Sequence, residues 1–432
     1  MSRFNFLAKK EFAMKILNLS SPFESVLSKE RLVLLLFVGM LALLPVYVFH
    51  SGGVNLADGP MLLIMSYILL THRKSEMLMQ NNTLIPLSAF LFWAVWVNMI
   101  NFLISNPVLC VIASLQIIYT VLMFVTLTIF FHRTLKDVRA VKFIYLAVLL
   151  CTIMPLLTTG LSIGFRSRQG LSFPNPNQLA YFAQIILAAV LILNNNANIF
   201  HPEIKASKFI RLTTVVVFVF SHYYVLLSAS RAGLVGVACL DLLALWKKKK
   251  LFLTAFISLV IIFPAMIFMS SDNFSGMKIY KRMMAGGYYS GLAERTEGRF
   301  NFEDLSLVFG GGKANRSMED EKKAREFKEV HNTFADIVYS YGMIGGGLFV
   351  SFIFFYFRTC SAVIFNLFAL LSFLPFHLTH NMIRFRLMWI FYALVYGTCL
   401  LYHHSIDFKS HTQRNAQRES TAINLDCVAS GR

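Results

Sequence analysis

The chain has 432 residues, of which 56% are apolar and only 14% charged, with a mean hydropathy of +0.61 and a formal net charge of +18. A water-soluble domain of this size needs more polar surface than that composition supplies; disorder, collagen-like repeats and secreted disulfide scaffolds are excluded as well. What remains is an all-α, polytopic membrane protein.

A hydrocarbon core about 30 Å thick takes roughly 20 apolar helical residues. Apolar runs of that order predict about twelve spans, at 31–49, 56–72, 84–104, 108–131, 140–160, 177–193, 209–227, 231–246, 251–269, 333–358, 360–377 and 386–403. The chain then divides into an N-terminal segment (1–30), spans one to nine (31–269), a long loop with short helices (270–331), spans ten to twelve (332–403) and a basic tail (404–432). In the N-terminal segment Phe4, Phe6, Leu7 and Phe12 alternate with Lys9, Lys10 and Lys15. It reads either as an amphipathic stretch along the membrane surface or as a flexible tail. No cleavable secretory signal is expected, because polar and basic residues precede the first apolar run and no small-residue cleavage site follows it.

Lys and Arg in the short loops set the orientation. With the N-terminus in the cytoplasm, 24 of the 40 basic residues fall on that side, including Arg133, Lys136, Arg139, Lys142 and the run Lys247 to Lys250. The other side receives 16, of which eleven lie in 270–331 beside ten acidic residues, so that loop is nearly neutral. Both termini are therefore expected in the cytoplasm. The positive charge is topological and predicts no nucleic-acid partner. Cys110, Cys151, Cys239, Cys360, Cys399 and Cys427 fall in spans, at their cytoplasmic ends or in the tail, so neither a disulfide nor a metal site is expected.

Few groups inside the spans could do chemistry. Asp241 is the clearest ionisable residue at depth, while His222 and Asp336 sit nearer helix ends. Asp241 precedes the tetralysine and reads as a helix-packing or interfacial partner in preference to an ion-coupling site. The informative groups lie on the outer side. The loop Gly164-Phe-Arg166-Ser-Arg168-Gln-Gly170-Leu-Ser-Phe173-Pro-Asn175-Pro-Asn177 puts two arginines where positive charge is disfavoured. Asn175 or Asn177 can cap the sixth span, and Asn177 is also a candidate accessory site residue. Ser228-Ala-Ser230-Arg231-Ala-Gly233 sets an arginine at the next outer turn, where it either snorkels to the interface or faces a cavity and pairs with phosphate.

The long loop holds Glu294-Arg295-Thr-Glu297-Gly298-Arg299 and then Phe309-Gly310-Gly311-Gly312-Lys313. The glycine run lacks the spacing of a phosphate-binding Walker loop and reads as a turn, although its amides could cradle an anion. Ser317 to Asp320 resembles a capping box, opening a polar helix that runs into span ten through His331-Asn332. His331 thus heads a long apolar helix, with Arg168, Arg231 and Arg299 on the same side. Tyr341-Gly342-Met-Ile-Gly345-Gly346-Gly347 reads as a small-residue packing face. His380-Asn381, followed by Arg384 and Arg386, is a reserve candidate for the role of His331.

In this order, the outer-loop arginine with Phe-Pro-Asn-Pro-Asn, then Ser-Arg-Ala-Gly, Gly298-Arg299 and His331-Asn-Thr-Phe…Tyr-Gly-Met-Ile-Gly, the chain resembles the O-antigen ligase and polymerase superfamily of bacterial envelope glycan transferases. The resemblance covers roughly residues 160–358. It implies a GT-C-like membrane fold in the bacterial inner membrane with the active site facing the periplasm. It also implies an undecaprenyl-diphosphate-linked glycan as donor and no cofactor. Arg231 and Arg299, with Arg168 and Arg295 behind them, would hold the diphosphate, and His331 would activate the acceptor. Asn177, Asn332, His380 and Arg384 are accessory candidates, and whether Arg295 or Arg299 is the matching loop arginine stays open. The acceptor would be a second lipid-linked glycan for a polymerase, or lipid A–core for a ligase. Arginines in two outer loops favour polymerase. Membrane lipids and a polysaccharide chain-length regulator are further implied partners. A lipid-linked-glycan flippase or other transporter is the rival, and it calls for repeat symmetry and charges deep in the spans.

Overall fold

The computed structural model describes residues 29–46, 55–71, 82–105, 108–159, 170–201, 207–247, 306–312, 332–381 and 385–405. Their regular structure is all helical. In chain order the helices are α1 (Lys29–Leu43), α2 (Asp58–Thr71), α3 (Leu84–Ser105), α4 (Val108–Thr134), α5 (Val138–Thr159), α6 (Pro176–Phe200), α7 (Lys208–Ser228) and α8 (Arg231–Lys247). They continue with α9 (Ser306–Phe309), α10 (Thr333–Cys360), α11 (Ile364–Leu371), α12 (Leu374–Thr379) and α13 (386–405). Six of them, α3 to α7 and α10, are long and apolar enough to cross a membrane. The expected ninth span, 251–269, lies outside the described residues. The expected eleventh, 360–377, is two short helices, broken at Ser372-Phe373 and offset from the predicted edges.

The helix starts are written in the chain. Asn175 is extended and takes the Asn177 amide on its side chain at 2.9 Å, with Pro176 in the first turn where no N–H is needed. Asn332 does the same for α10, accepting from the amides of Phe334 and Ala335 at 2.9 and 3.1 Å. Within the helices, Thr126, Thr128, Thr152 and Thr214 return their hydroxyls to their own backbone carbonyls, which satisfies them in apolar surroundings.

α13 is the axis of the bundle. Its stretch from Leu387 to Cys399 is buried on every side. Around it the other helices close a belt: α1 packs on α5, α5 on α7, α7 on α6, α6 on α8 and α8 on α12, then α12 on α10, α10 on α3, α3 on α4, α4 on α2 and α2 on α1. Aromatic rings fill the centre, with Tyr356 stacked on Tyr396 at 5.4 Å and Phe352 on Trp389 at 6.3 Å. A Cβ at Gly397 would meet Phe131 and the Thr128 carbonyl, so glycine there lets α13 lie close to α4. On the outside of the belt Leu63, Leu70, Ile85, Leu103, Leu115 and Phe354 are exposed, as lipid-facing residues are.

Contacts gather Asn55, Gly170, Ser230, Asn332, His380 and Arg386 at one end of the bundle, called the site end below: Arg386 reaches Asp58 beside Asn55, Thr333 reaches His380, Tyr181 packs on Phe385, and Gly233 faces Ala180. Thr83, His201, Thr359 and His403 lie at the far end, where Thr83 meets Thr359 and His403 meets the Thr359 carbonyl.

Candidate functional site

The corner between α10 and the α12–α13 connection is laced by hydrogen bonds. The Thr333 hydroxyl donates to the His380 carbonyl at 2.9 Å, and the Asn381 amide donates to the Asp336 carboxylate at 2.7 Å. Asp336 is buried in the first turn of α10, where the positive helix end favours its charge. The structure thus brings the expected accessory residues Asn332 and His380 to one place. The His380 ring rests against Phe376, with centroids 5.7 Å apart.

Arg231 enters from the α7–α8 turn. Ala229 takes a left-handed conformation (φ 49°) that ends α7. Ser228 returns its hydroxyl to the Val225 carbonyl, and Ser230 accepts the Gly233 amide at 3.4 Å as the cap of α8. Arg231 is therefore the first helical residue, half-buried, its charge adding to the positive end of α8. A Cβ at Gly233 would strike Ala180, and one at Gly236 would strike the Gln184 amide, so the two glycines seat α8 against α6.

On α6 the Asn175 cap resolves the choice between Asn175 and Asn177; Asn177 is half-buried within the first turn. Just below, Gln178 Oε1 and the Tyr181 hydroxyl are buried with no hydrogen-bond partner among the described residues, as is Ser172 Oγ in the preceding loop. The Tyr181 ring is caged by Phe376 at 4.8 Å and Phe385 at 5.0 Å.

Arg386 has a different role from the one its position suggests. Its guanidinium lies 3.2 Å from Asp58 Oδ2, while Asp58 Oδ1 accepts the Tyr119 hydroxyl at 2.9 Å and Oδ2 the Asn55 amide at 2.7 Å. Asn55 in turn accepts the Ala57 amide, so Asn55 and Asp58 form a reciprocal cap at the start of α2. Asp58 escapes a reading that looks for charge inside spans. The signal was its place three residues after Asn55, directly before an apolar run.

The turn Gly310-Gly311-Gly312 is docked into a break in α10. At Gly342 the chain has φ 70° and ψ −177°, which interrupts the helical ladder and frees carbonyls. The Gly312 amide takes the Ser340 carbonyl at 3.0 Å and the Trp93 indole takes that of Tyr341 at 2.8 Å. A Cβ at Gly310 would meet the Tyr341 backbone, and one at Gly342 would meet the Val308 carbonyl. The packing-face reading therefore holds for Gly345, which faces Trp93, but Gly342 is a break.

Two polar features lie deeper. His222 Nε2 is 3.0 Å from Asp241 Oδ2, so the partner of Asp241 is a histidine on α7. Where α11 gives way to α12, the Gln184 amide donates to the Ser372 carbonyl at 2.7 Å and satisfies a group that the break frees. Arg166, Arg168, Arg295, Arg299, His331 and Arg384 lie outside the described residues, as do the segment opening at Ser317 and the lysines 248–250. Among the described residues no group of three or more His, Cys, Asp or Glu could hold a metal ion.

Comparison with protein-family models finds no match, and neither does comparison with curated proteins.

Proposed function

We propose that this chain is a metal-independent glycosyltransferase of the bacterial inner membrane. It takes an undecaprenyl-diphosphate-linked glycan as donor at its periplasmic face and acts as an O-antigen or surface-polysaccharide polymerase. The twelve-span, GT-C-like plan and cytoplasmic termini belong to the same proposal. The observation that carries it is the placement of polar groups. Arg231, Asn332, Asp336 and His380 gather at one end of the bundle, above an aromatic centre, with Gln178 Oε1 and the Tyr181 hydroxyl, which have no hydrogen-bond partner among the described residues. Beside that centre a small cavity is lined by the apolar side chains of Phe37, Phe131, Ile144, Ile185, Leu387 and Phe391. Polar groups gathered at one face of an apolar bundle suit a transferase, and unsatisfied polar atoms among aromatic rings suit a hydroxyl-rich glycan.

The donor already carries its leaving group. Arg231 and Arg299, with Arg168 and Arg295, stabilise the departing diphosphate, since guanidinium pairs with phosphate in a fork and keeps its charge. His331 accepts the proton of the attacking hydroxyl as the new bond forms with inversion at the anomeric carbon. Transfer to lipid A–core, the ligase reaction, uses the same parts. A flippase reading is favoured by the partly buried His222–Asp241 pair and the broken α11–α12 unit, features of transporter cores.

The test is transfer by the full chain in lipid nanodiscs, fed with lipid-linked repeat units. Longer glycans form, chelation of divalent metal leaves the rate unchanged, and His331→Ala lowers it on the order of 10²–10⁴-fold. Full activity in His331→Ala refutes the mechanism. Movement of the lipid-linked glycan across the bilayer without any transfer supports the flippase.

A further inference from the structure

The hairpin of α7 and α8 is held open as a triangle. Its apex is the left-handed turn at Ala229. From there the chain runs seven residues back to His222, about 10 Å, and ten residues on from Arg231 to Asp241, about 15 Å, at 1.5 Å per residue. The contact of His222 Nε2 with Asp241 Oδ2 at 3.0 Å closes the third side. Both helices pack on α6, and α7 leans besides on α5 and α8 on α12. With Gly233 and Gly236 seating its start on α6 and this bond ten residues beyond Arg231, α8 is held at two places, and its first turn is oriented with it.

The bond has a definite proton count. His222 Nδ1 lies 2.8 Å from the Phe218 carbonyl, which can only accept, so Nδ1 carries a hydrogen. One further proton then lies between Nε2 and the carboxylate. The other carboxylate oxygen, Oδ1, is buried and has no hydrogen-bond partner among the described residues, where His222 supplies the side-chain bond that Asp241 makes. Two apolar side chains would pack α7 against α8 at lower cost in such surroundings. What the polar pair adds is direction, because a hydrogen bond holds one geometry where apolar contact tolerates sliding.

We infer that His222 and Asp241 are positioning residues for Arg231: their single shared proton sets the angle of α8, and so the place where the arginine meets a lipid diphosphate. The inference rests on the transferase reading for its ligand but not for its geometry. Asp241→Asn keeps the bridge, because the amide donates to an unprotonated Nε2. Asp241→Leu removes it.

The test measures binding of undecaprenyl diphosphate to the full chain in nanodiscs. Wild type and Asp241→Asn bind alike. Asp241→Leu and Arg231→Ala each bind about tenfold more weakly, the size of an ordinary coupling between contacting groups. The double variant binds no worse than Arg231→Ala, since both act through one guanidinium. Unchanged binding in Asp241→Leu, or losses that add in the double variant, overturns the inference and leaves the transferase reading standing. If wild type does not bind the lipid, the transferase reading fails, and the geometry is judged without ligand. Arg231→Cys is then labelled with a membrane-impermeant maleimide against the parent chain. Asp241→Leu changes that labelling rate and Asp241→Asn does not; equal rates in all three overturn the inference. Should Asp241→Leu fail to accumulate, His222→Phe with Asp241→Leu leaves no polar group unpaired and carries the same comparisons.

Discussion

Arg386 and Arg231 carry the same sequence cue, a cation at the end of an apolar helix on the side where cations are disfavoured. Each stands in its own surroundings. Arg386 faces a carboxylate at 3.2 Å that is itself tied to Tyr119 and the α2 cap, so its charge is neutralised within the fold. Arg231 stands at the positive end of α8, where an anion is favoured. Removing Asp58 takes from Arg386 this carboxylate and leaves the Tyr119 hydroxyl and the Asn55 amide without that acceptor, at about 1–3 kcal/mol. Asp58→Ala is therefore expected to lower the unfolding temperature in detergent, and adding Arg386→Leu recovers part of the loss. An Asp58→Ala protein as stable as wild type contradicts the pairing. The distinction could not be read from either arginine alone, because the deciding carboxylate belongs to a helix far away in the chain.

At the level of elements, the cap of α6 was legible and that of α10 was not. Asn175-Pro176 announces a helix start through a side chain that bonds its own neighbour, and such local chemistry survives in one dimension. Asn332 was expected inside a helix running on from the loop; it is extended and caps α10. Gly342 sits in a run of glycines that serves equally well for close helix packing or for a left-handed residue; only the seat of Val308 and Gly310 on it decides. At the α11–α12 break the cue was Pro375, which cannot continue a helix but can begin one. Gly342→Ala forces a Cβ into the left-handed region, at about 1–2 kcal/mol, and against the Val308 carbonyl. The expected outcome is release of the 306–312 turn, seen as faster proteolysis at Phe309 and altered fluorescence of Trp93, whose indole bonds the break. Unchanged cleavage and fluorescence would mean that the turn does not depend on the break.

For the whole molecule, the helical membrane class followed from composition, but the central place of α13 could not. Lipid tails are as apolar as a protein core, so a helix buried all round and one bathed in lipid share a composition. α13 is tied to the helices around it by contacts such as Arg386 with Asp58, Tyr356 with the Tyr392 carbonyl and Asn366 with Thr398. Glycan transfer at the site end is the central claim of our proposal. It is tested most directly by the surface-glycan profile of a strain lacking this chain. The account predicts lipid A–core carrying a single repeat unit, while the ligase alternative gives bare core with polymer left on the lipid carrier. A profile indistinguishable from that of the parent strain would contradict both.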